Sequence, residues 1–535
     1  MNFKQSLWSV LFLGISMSAL AQDPIAQKYA GIITPKLGKK HLKTLSSDKF
    51  EGRETGKAGA QMAADYIAKE FKKLGLTAPV NGSYFQEVPL VETTFNVSAF
   101  TVNGTNFSIG KDFLFTGSGP AKAINANDII FAGYGISADG YDDLKNADLQ
   151  GKVVMLINKG EPMANGVSVI SKTATPSDWT SSRSKRLQNI MSKGPLLILA
   201  VSPDVSNTLK LYRPATGRLS LKKANPVAPS TRPGSAPIVY ITPEVANLIL
   251  KNSGKTYDGL KSAIDNSGAA QTQTLKSTIS MNYGPSLKDV RSVNVLGYLE
   301  GTDLKSEVLV FSAHYDHIGL TTDGGKDKVN NGADDDGSGT TAVLEIARAY
   351  AKAKKDGKGS RRSILFLLVT GEEKGLLGSE WYSENPIFPM ENTITDLNID
   401  MIGRVGEEYK SSADSANYCY LIGSDKLSSD LHKISENANA VYTKMKIDYK
   451  YNDPKDPERI YYRSDHYNFA KHGVPIVFYF NGVHEDYHKA SDEFKKINFD
   501  LLTKRAQLVF YTGWALANRD KRPVVDVENN MPSSR

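Results

Sequence analysis

An apolar run ending in His314-Tyr315-Asp316-His317 is followed by Ala333-Asp334-Asp335-Asp336-Gly337-Ser338-Gly339 and then by an amphipathic stretch. These residues constrain the fold more than any others in the chain. The apolar run suits a buried strand, and an acidic, glycine-flanked turn suits the start of a helix. Three adjacent carboxylates repel one another unless a positive charge sits among them. Any fold for this chain has to supply that charge.

From about residue 265 the pattern alternates strand and helix. Val308–Ala313, Ser363–Thr370, Leu397–Ile402 and Val474–Phe480 read as buried parallel strands, with helices at Ser338–Ala353 and Asp500–Ala517. This implies an α/β fold, a central mixed and mostly parallel sheet with helices on both faces. Near the N-terminus, Ala60, Ala63, Ile67, Phe71 and Leu74 share one helix face, and Gly75 ends that helix. Phe85 to Phe115 reads as strands around an Asn103-Gly104 turn. Between 119 and 264 short strand runs alternate with long loops rich in Ser, Thr, Pro, Lys and Arg. The expected organisation is one domain from 22–118 and 265–520, a β-rich accessory insert at 119–264, and a tail at 521–535.

A length of 535 residues calls for more than one domain, and 40% hydrophobic with 23% charged residues describes a globular chain. The net charge of +7 is spread without a basic stripe, so nucleic acid is not an expected partner. Lys4, the apolar stretch Leu7–Leu20 and Ala19-Leu20-Ala21 read as a signal peptide over 1–21. The expected location is therefore periplasmic or extracellular, with no membrane span after cleavage. Cys419 is the single cysteine, which excludes an intramolecular disulfide and suits a buried small hydrophobe.

Residue types that bind metal fall just past the expected strands. His314 and Asp316 follow the first strand and Glu372 and Glu373 the second. Asp400 lies near the end of the third, His488 beyond the fourth, and Asp335 ahead of the intervening helix. Sites in such sheets form at the carboxyl ends of strands. Taken singly, the aspartates could cap a helix, and Glu372-Glu373 and His488 could be solvated. Asp400 in an apolar run is costly to bury unpaired. One metal site accounts for all of these positions together. Imidazole and carboxylate without thiolate suit zinc. Two zinc ions bring four charges, Asp335, Glu373 and Asp400 return three, and a bridging hydroxide closes the count.

The order His-x-Asp, Asp-Asp-Asp-Gly-Ser-Gly, Gly-Glu-Glu, Asp-Met and Tyr-His resembles the co-catalytic di-zinc metallopeptidase family of bacterial leucyl aminopeptidase and glutamate carboxypeptidase II. Ser464-Asp465-His466 before Gly473-Val474-Pro475 looks like that family too. The resemblance covers roughly 40–118 and 265–520. Gly133-Tyr134-Gly135 and Gly151-Lys152-Val153-Val154 make 119–264 similar to a protease-associated domain. The resemblance implies His314 and Asp400 on one zinc, Glu373 and His488 on the other, and Asp335 bridging. Asp316 is expected to orient His314, as a ligating imidazole requires. Glu372 is implied as general base on a metal-bound water, and Tyr461 as oxyanion donor with Tyr462 left open. His317 is close enough to His314 to be a rival ligand, though the spacing of Asp316 favours His314, and His466, His472 and His484 receive no role. The expected function is an exported zinc exopeptidase acting on peptides, with aminopeptidase action favoured. The alternatives are a glutamate-carboxypeptidase-like enzyme, a glutaminyl-cyclase-like cyclotransferase and a non-catalytic binding protein. Nothing in the sequence indicates an oligomeric state.

Overall fold

The computed structural model describes residues 22–117, 120–210, 217–222, 236–321 and 325–531. They form two compact units, one of Met1–Pro89 with Arg291–Arg535 and one of Leu90–Val290. The export signal expected at 1–21 lies outside the described residues. No helix among the described residues is long and apolar enough to cross a membrane.

In the first unit, four parallel strands stand in the order Ile476–Phe480, Thr393–Ile399, Leu304–His314, Arg362–Val369. Tyr418–Ile422 runs antiparallel to the first of these, and Val295–Leu299 antiparallel to the last. Alternate side chains face opposite ways, as strand geometry dictates. Leu309, Phe311 and Ala313 pack with the helices Ala58–Leu74, Gly337–Lys355 and Phe499–Asn518, while Val308 and Val310 pack with Tyr382 and Phe469 on the other face. Gly75 at φ 74° closes the first of those helices, its N–H donating to the carbonyls of Lys72 and Phe71.

The strand Thr393–Ile399 begins and ends earlier than the apolar pattern predicts, because its first residues are polar. Burial is tolerated there because Asp396 accepts from Ser312 Oγ at 2.7 Å. Asp400 consequently sits just past the strand. His314 pairs with Val369, Ser312 with Asn398, and Asn398 with Phe478, so the carboxyl ends of all four strands come to one edge.

The second unit has a parallel core of Lys122–Phe131, Val153–Ile157, Leu197–Val201 and Ile238–Ile241. Helices Arg183–Met191, Pro243–Leu250 and Tyr257–Ser267 accompany it. The turn at Asn103 and Gly104, both with positive φ, joins Val102 to Thr105, and that hairpin belongs to this unit. The unit therefore starts earlier than the change of sequence character at 119. Gly133, at φ 50°, explains the glycine signature. A Cβ there would fall 2.0 Å from Asp143 Oδ1. Its absence lets Asp143 Oδ2 accept from the N–H groups of Tyr134 and Ile136 at 3.0 and 3.2 Å. Tyr141 donates to Asp143 Oδ1 at 2.7 Å.

Candidate active site

The helix Gly337–Lys355 delivers the acidic run to the strand edge. Asp336 caps it, Oδ1 accepting from Gly339 N at 2.8 Å and from Met401 N at 3.1 Å. Gly339 makes this approach possible, since a Cβ on it would lie 2.2 Å from the carbonyl oxygen of Ile399. Asp334 takes a structural place as well, accepting from Gly403 N at 2.6 Å and facing His484 Nε2 at 3.2 Å. The N–H groups of Asp334 and Asp335 donate to Asp492 Oδ2 at 2.9 and 3.1 Å.

Asp335, between them, faces both outer histidines. One carboxylate oxygen lies 3.3 Å from His314 Nε2 and the other 3.2 Å from His488 Nε2. His314 Nε2 is also 3.6 Å from Asp400 Oδ2, and His488 Nε2 is 3.0 Å from Glu373 Oε2. Asp400 is fixed through its other neighbours. Ser464 Oγ donates to Asp400 Oδ2 at 2.7 Å and accepts from Asn398 Nδ2 at 2.9 Å. Asp465 accepts from Ser379 Oγ, and His466 Nε2 meets the carbonyl of Tyr461 at 2.7 Å. The Ser464-Asp465-His466 motif is thus a brace behind Asp400.

Asp316 acts by two routes. His314 Nδ1 bonds to its main-chain carbonyl at 3.1 Å, while its carboxylate lies 3.8 Å away. That carboxylate accepts from Thr55 Oγ1 at 2.7 Å and from Glu372 N at 3.2 Å. It therefore fixes the main chain of Glu372 and Glu373 as well as the turn carrying His314.

The cluster has the donor set of a cation site. Asp335 Oδ2, Glu373 Oε1 and Asp400 Oδ1 are buried, and no hydrogen bond reaches them. His314, Glu372 and Asp400 offer ligand atoms within 4.8 Å of one another, as do His317, Asp335 and Glu373. Leaving such groups unpaired costs free energy that a bound ion removes. Against burial, Asp335 and Glu373 lift His488 to about 10. Against burial and the charge of Asp335, His317 and His488 hold the Glu373 carboxyl at about 2. Glu372 goes the other way. Burial pushes it well above the usual carboxylate range, with Glu373 adding to the effect and His314 opposing it. The two adjacent glutamates are thereby separated into an anion and a group that can hold a proton.

An opening of about 350 Å³ leads to Asp335, Glu372 and Asp400, and Met401, Ile460, Phe478, Phe480 and Val483 give it apolar walls. Tyr461 does not line it. Its hydroxyl accepts from Asn529 Nδ2 at 3.0 Å, and its ring packs edge-on to Tyr462, His466 and Tyr467. The phenol that lines the opening is Tyr487, stacked on His488 at a centroid distance of 3.9 Å. The sequence marks a tyrosine on either side of the site, but nothing local says which one faces inward.

Two further residues join the site, His317, which the sequence offered only as a rival to His314, and Arg53, which it did not mark. His317 Nδ1 lies 2.8 Å from Glu373 Oε1 without hydrogen-bond alignment, so it stands among the metal-binding residue types. Arg53 is fully buried, and its guanidinium donates to the carbonyls of Leu45, Tyr315, Asn331 and Gly332 at 2.7–2.9 Å. It fastens the loop ahead of the acidic run and brings one positive charge to it. Separated from that loop by more than 270 residues (Arg53 to Asn331 spans 278), it gives no local signal.

Residues 294–513 match the family described as Peptidase family M28. The chain is 23% identical to an aminopeptidase of Bacillus subtilis, YwaD, over 299 residues, covering 53% of this chain and 56% of that protein. It is 29% identical to a probable leucine aminopeptidase of Arthroderma benhamiae, covering 40% and 55% respectively. A probable glutamate carboxypeptidase of Arabidopsis thaliana, AMP1, is 25% identical over 45% of this chain and 31% of its own length. The chain thus spans about half or less of these relatives. In fold it is similar to the aminopeptidase from Aneurinibacillus sp. strain AM-1, with a TM-score of 0.50 and 17% identity, covering 94% of this chain and all of that one.

Proposed function

From the peptidase family M28 domain that residues 294–513 form, we propose that this chain is a zinc exopeptidase that removes residues from the N-terminus of peptides. The observation that carries the reading is the convergence of Asp335, Glu373 and Asp400, each with a buried oxygen that no hydrogen bond reaches, on His314 and His488. His314 and Asp400 would hold one zinc, Glu373 and His488 a second, with Asp335 between them, one oxygen toward each histidine. Bound zinc would supply the Lewis acidity that polarises a peptide carbonyl. Glu372 takes a proton from the attacking water and passes it to the leaving amine, a task that suits a carboxyl whose pKa burial has raised. Tyr487, in place of Tyr461, is the hydroxyl positioned to donate to the carbonyl oxygen. Asp316 fixes His314 and the Glu372 main chain. Export directed by residues 1–21, and an accessory role for the insert at 119–264 akin to a protease-associated domain, complete the reading.

The test is metal analysis of the dialysed full chain together with a peptide-library digest read by mass spectrometry. Two zinc ions per chain with trimming from the N-terminus is the expected result. Full activity with a single zinc would point to the cyclotransferase-like chemistry, and trimming only from the C-terminus to a carboxypeptidase. No turnover of any peptide would leave a binding protein.

A further inference from the structure

Three arginines lie in or near the site, and two are committed. Arg53 is spent on main-chain carbonyls. Arg404 pairs with Asp486 at 2.9 Å and approaches Asp492 at 3.8 Å. Arg463 is different. It lines the same opening as Glu372 and Asp400, and its partners among the described residues are the hydroxyl of Tyr487, at 3.2 Å from Nη2, and the Tyr487 ring, at 5.9 Å. A guanidinium carries five N–H donors in a planar fork, so one bond to a phenol leaves it able to clasp a carboxylate with two.

The guanidinium is exposed, and the main chain that carries it is held. Its neighbour Ser464 is hydrogen-bonded to Asp400, which ties the Arg463 main chain to the metal-binding cluster. Met401, Phe478 and Phe480 line the same opening as Arg463. One residue spans at most ~3.6 Å of extended chain. A substrate carboxylate that meets Arg463 while the scissile bond sits at Glu372 therefore lies close along the chain to that bond.

We infer that Arg463 binds the terminal carboxylate of the residue just past the scissile bond, so that dipeptides are the favoured substrates of this site. The inference rests on the peptidase reading above and adds to it the substrate class. It also accounts for the mixed likeness to amino- and carboxypeptidases, since in a dipeptide one bond is adjacent to both termini. An acidic side chain on the N-terminal residue is the lesser fit, because the walls beside Arg463 suit an apolar one.

The experiment compares kcat/KM for Leu-Gly and its C-terminal amide, which differ only in the carboxylate. The wild-type chain is expected to favour the free acid by ~10- to 100-fold, mostly through KM, as a charge-assisted pair would give. Arg463→Gln should bring the ratio close to one, and Arg463→Lys should keep part of it. Equal rates for acid and amide in the wild-type chain would overturn the inference. A variant that loses kcat equally on both substrates would overturn it too, assigning Arg463 to the reacting carbonyl. A wild-type, zinc-loaded chain that cleaves neither substrate nor longer peptides would sink the peptidase reading itself, whereas cleavage of longer peptides alone would sink only the dipeptide subsite.

Discussion

Both units bury carboxylates, and they treat them in opposite ways. In the second unit Asp143 accepts from two main-chain N–H groups and a phenol. Glu161 there accepts from Ser168, Ser177 and Thr180, which outweigh the cost of burial and lower its pKa. In the first unit Asp335, Glu373 and Asp400 are buried as deeply, yet each has an oxygen no donor reaches. Burial alone does not mark a functional carboxylate. What separates the two cases is that the donors of the second unit satisfy Asp143 and Glu161, whereas the unreached oxygens of Asp335, Glu373 and Asp400 gather around His314 and His488, an arrangement that suits a cation.

The largest expected effect falls on the unsatisfied side. Glu372→Gln should lower kcat on peptides by ~10²- to 10⁴-fold while leaving metal content and thermal midpoint unchanged. An active variant would show that the proton-holding glutamate is a structural one after all. Next comes Asp316→Asn, which disturbs the residue that fixes His314 and the Glu372 main chain. A loss of ~10- to 100-fold in zinc affinity, read by competition with a chelator, is expected. The corresponding Asp143→Asn should leave zinc binding untouched.

The pH dependence of stability sharpens the contrast further. Burial, opposed by its three donors, raises Asp143 to about 7. The folded state then binds the proton more tightly than the unfolded chain, so this contribution is fully present below pH ~4 and is lost as pH rises through about 7. His466 has the opposite sign. Burial lowers it to about 3, so its contribution is present above pH ~6.5 and is lost as pH falls toward 3. Urea midpoints measured from pH 4 to 7 should therefore fall more steeply with acid in Asp143→Asn and less steeply in His466→Gln. Equal slopes in both variants and the wild-type chain would remove these groups from the linkage. The smallest effect is expected for Thr180→Ala, which removes one of several donors to Glu161 and should cost ~1 kcal/mol of stability.

Much of this was legible in the chain. Hydrophobic runs located the parallel strands, and the rule that sites form at their carboxyl ends led to His314, Asp335, Glu372, Glu373, Asp400 and His488, which the fold brings together. The misplacements share one cause. Thr393, Thr395 and Asp396 look like loop, yet all three are buried in a strand, and Asp396 is held there by Ser312, far away in sequence. Tyr461 and Tyr487 are told apart by packing, Asn529 meeting the hydroxyl of one and His488 stacking on the ring of the other. Arg53 acts through partners that no periodicity or spacing connects to it. Pattern locates elements and their ends, whereas the inward or outward sense of a loop residue is decided by what arrives from elsewhere.

Gly339 carries a consequence for how this site tolerates change. A single absent methyl group sets how near the head of one helix comes to the end of one strand, and hence how far Asp335 stands from Asp400. That separation is gauged by main chain rather than by side-chain rotamers. Replacing a ligand at the rim asks a rotamer to adjust, but adding one carbon at Gly339 asks two secondary-structure elements to part. The calibration of the site thus resides in a residue that bears no functional group at all.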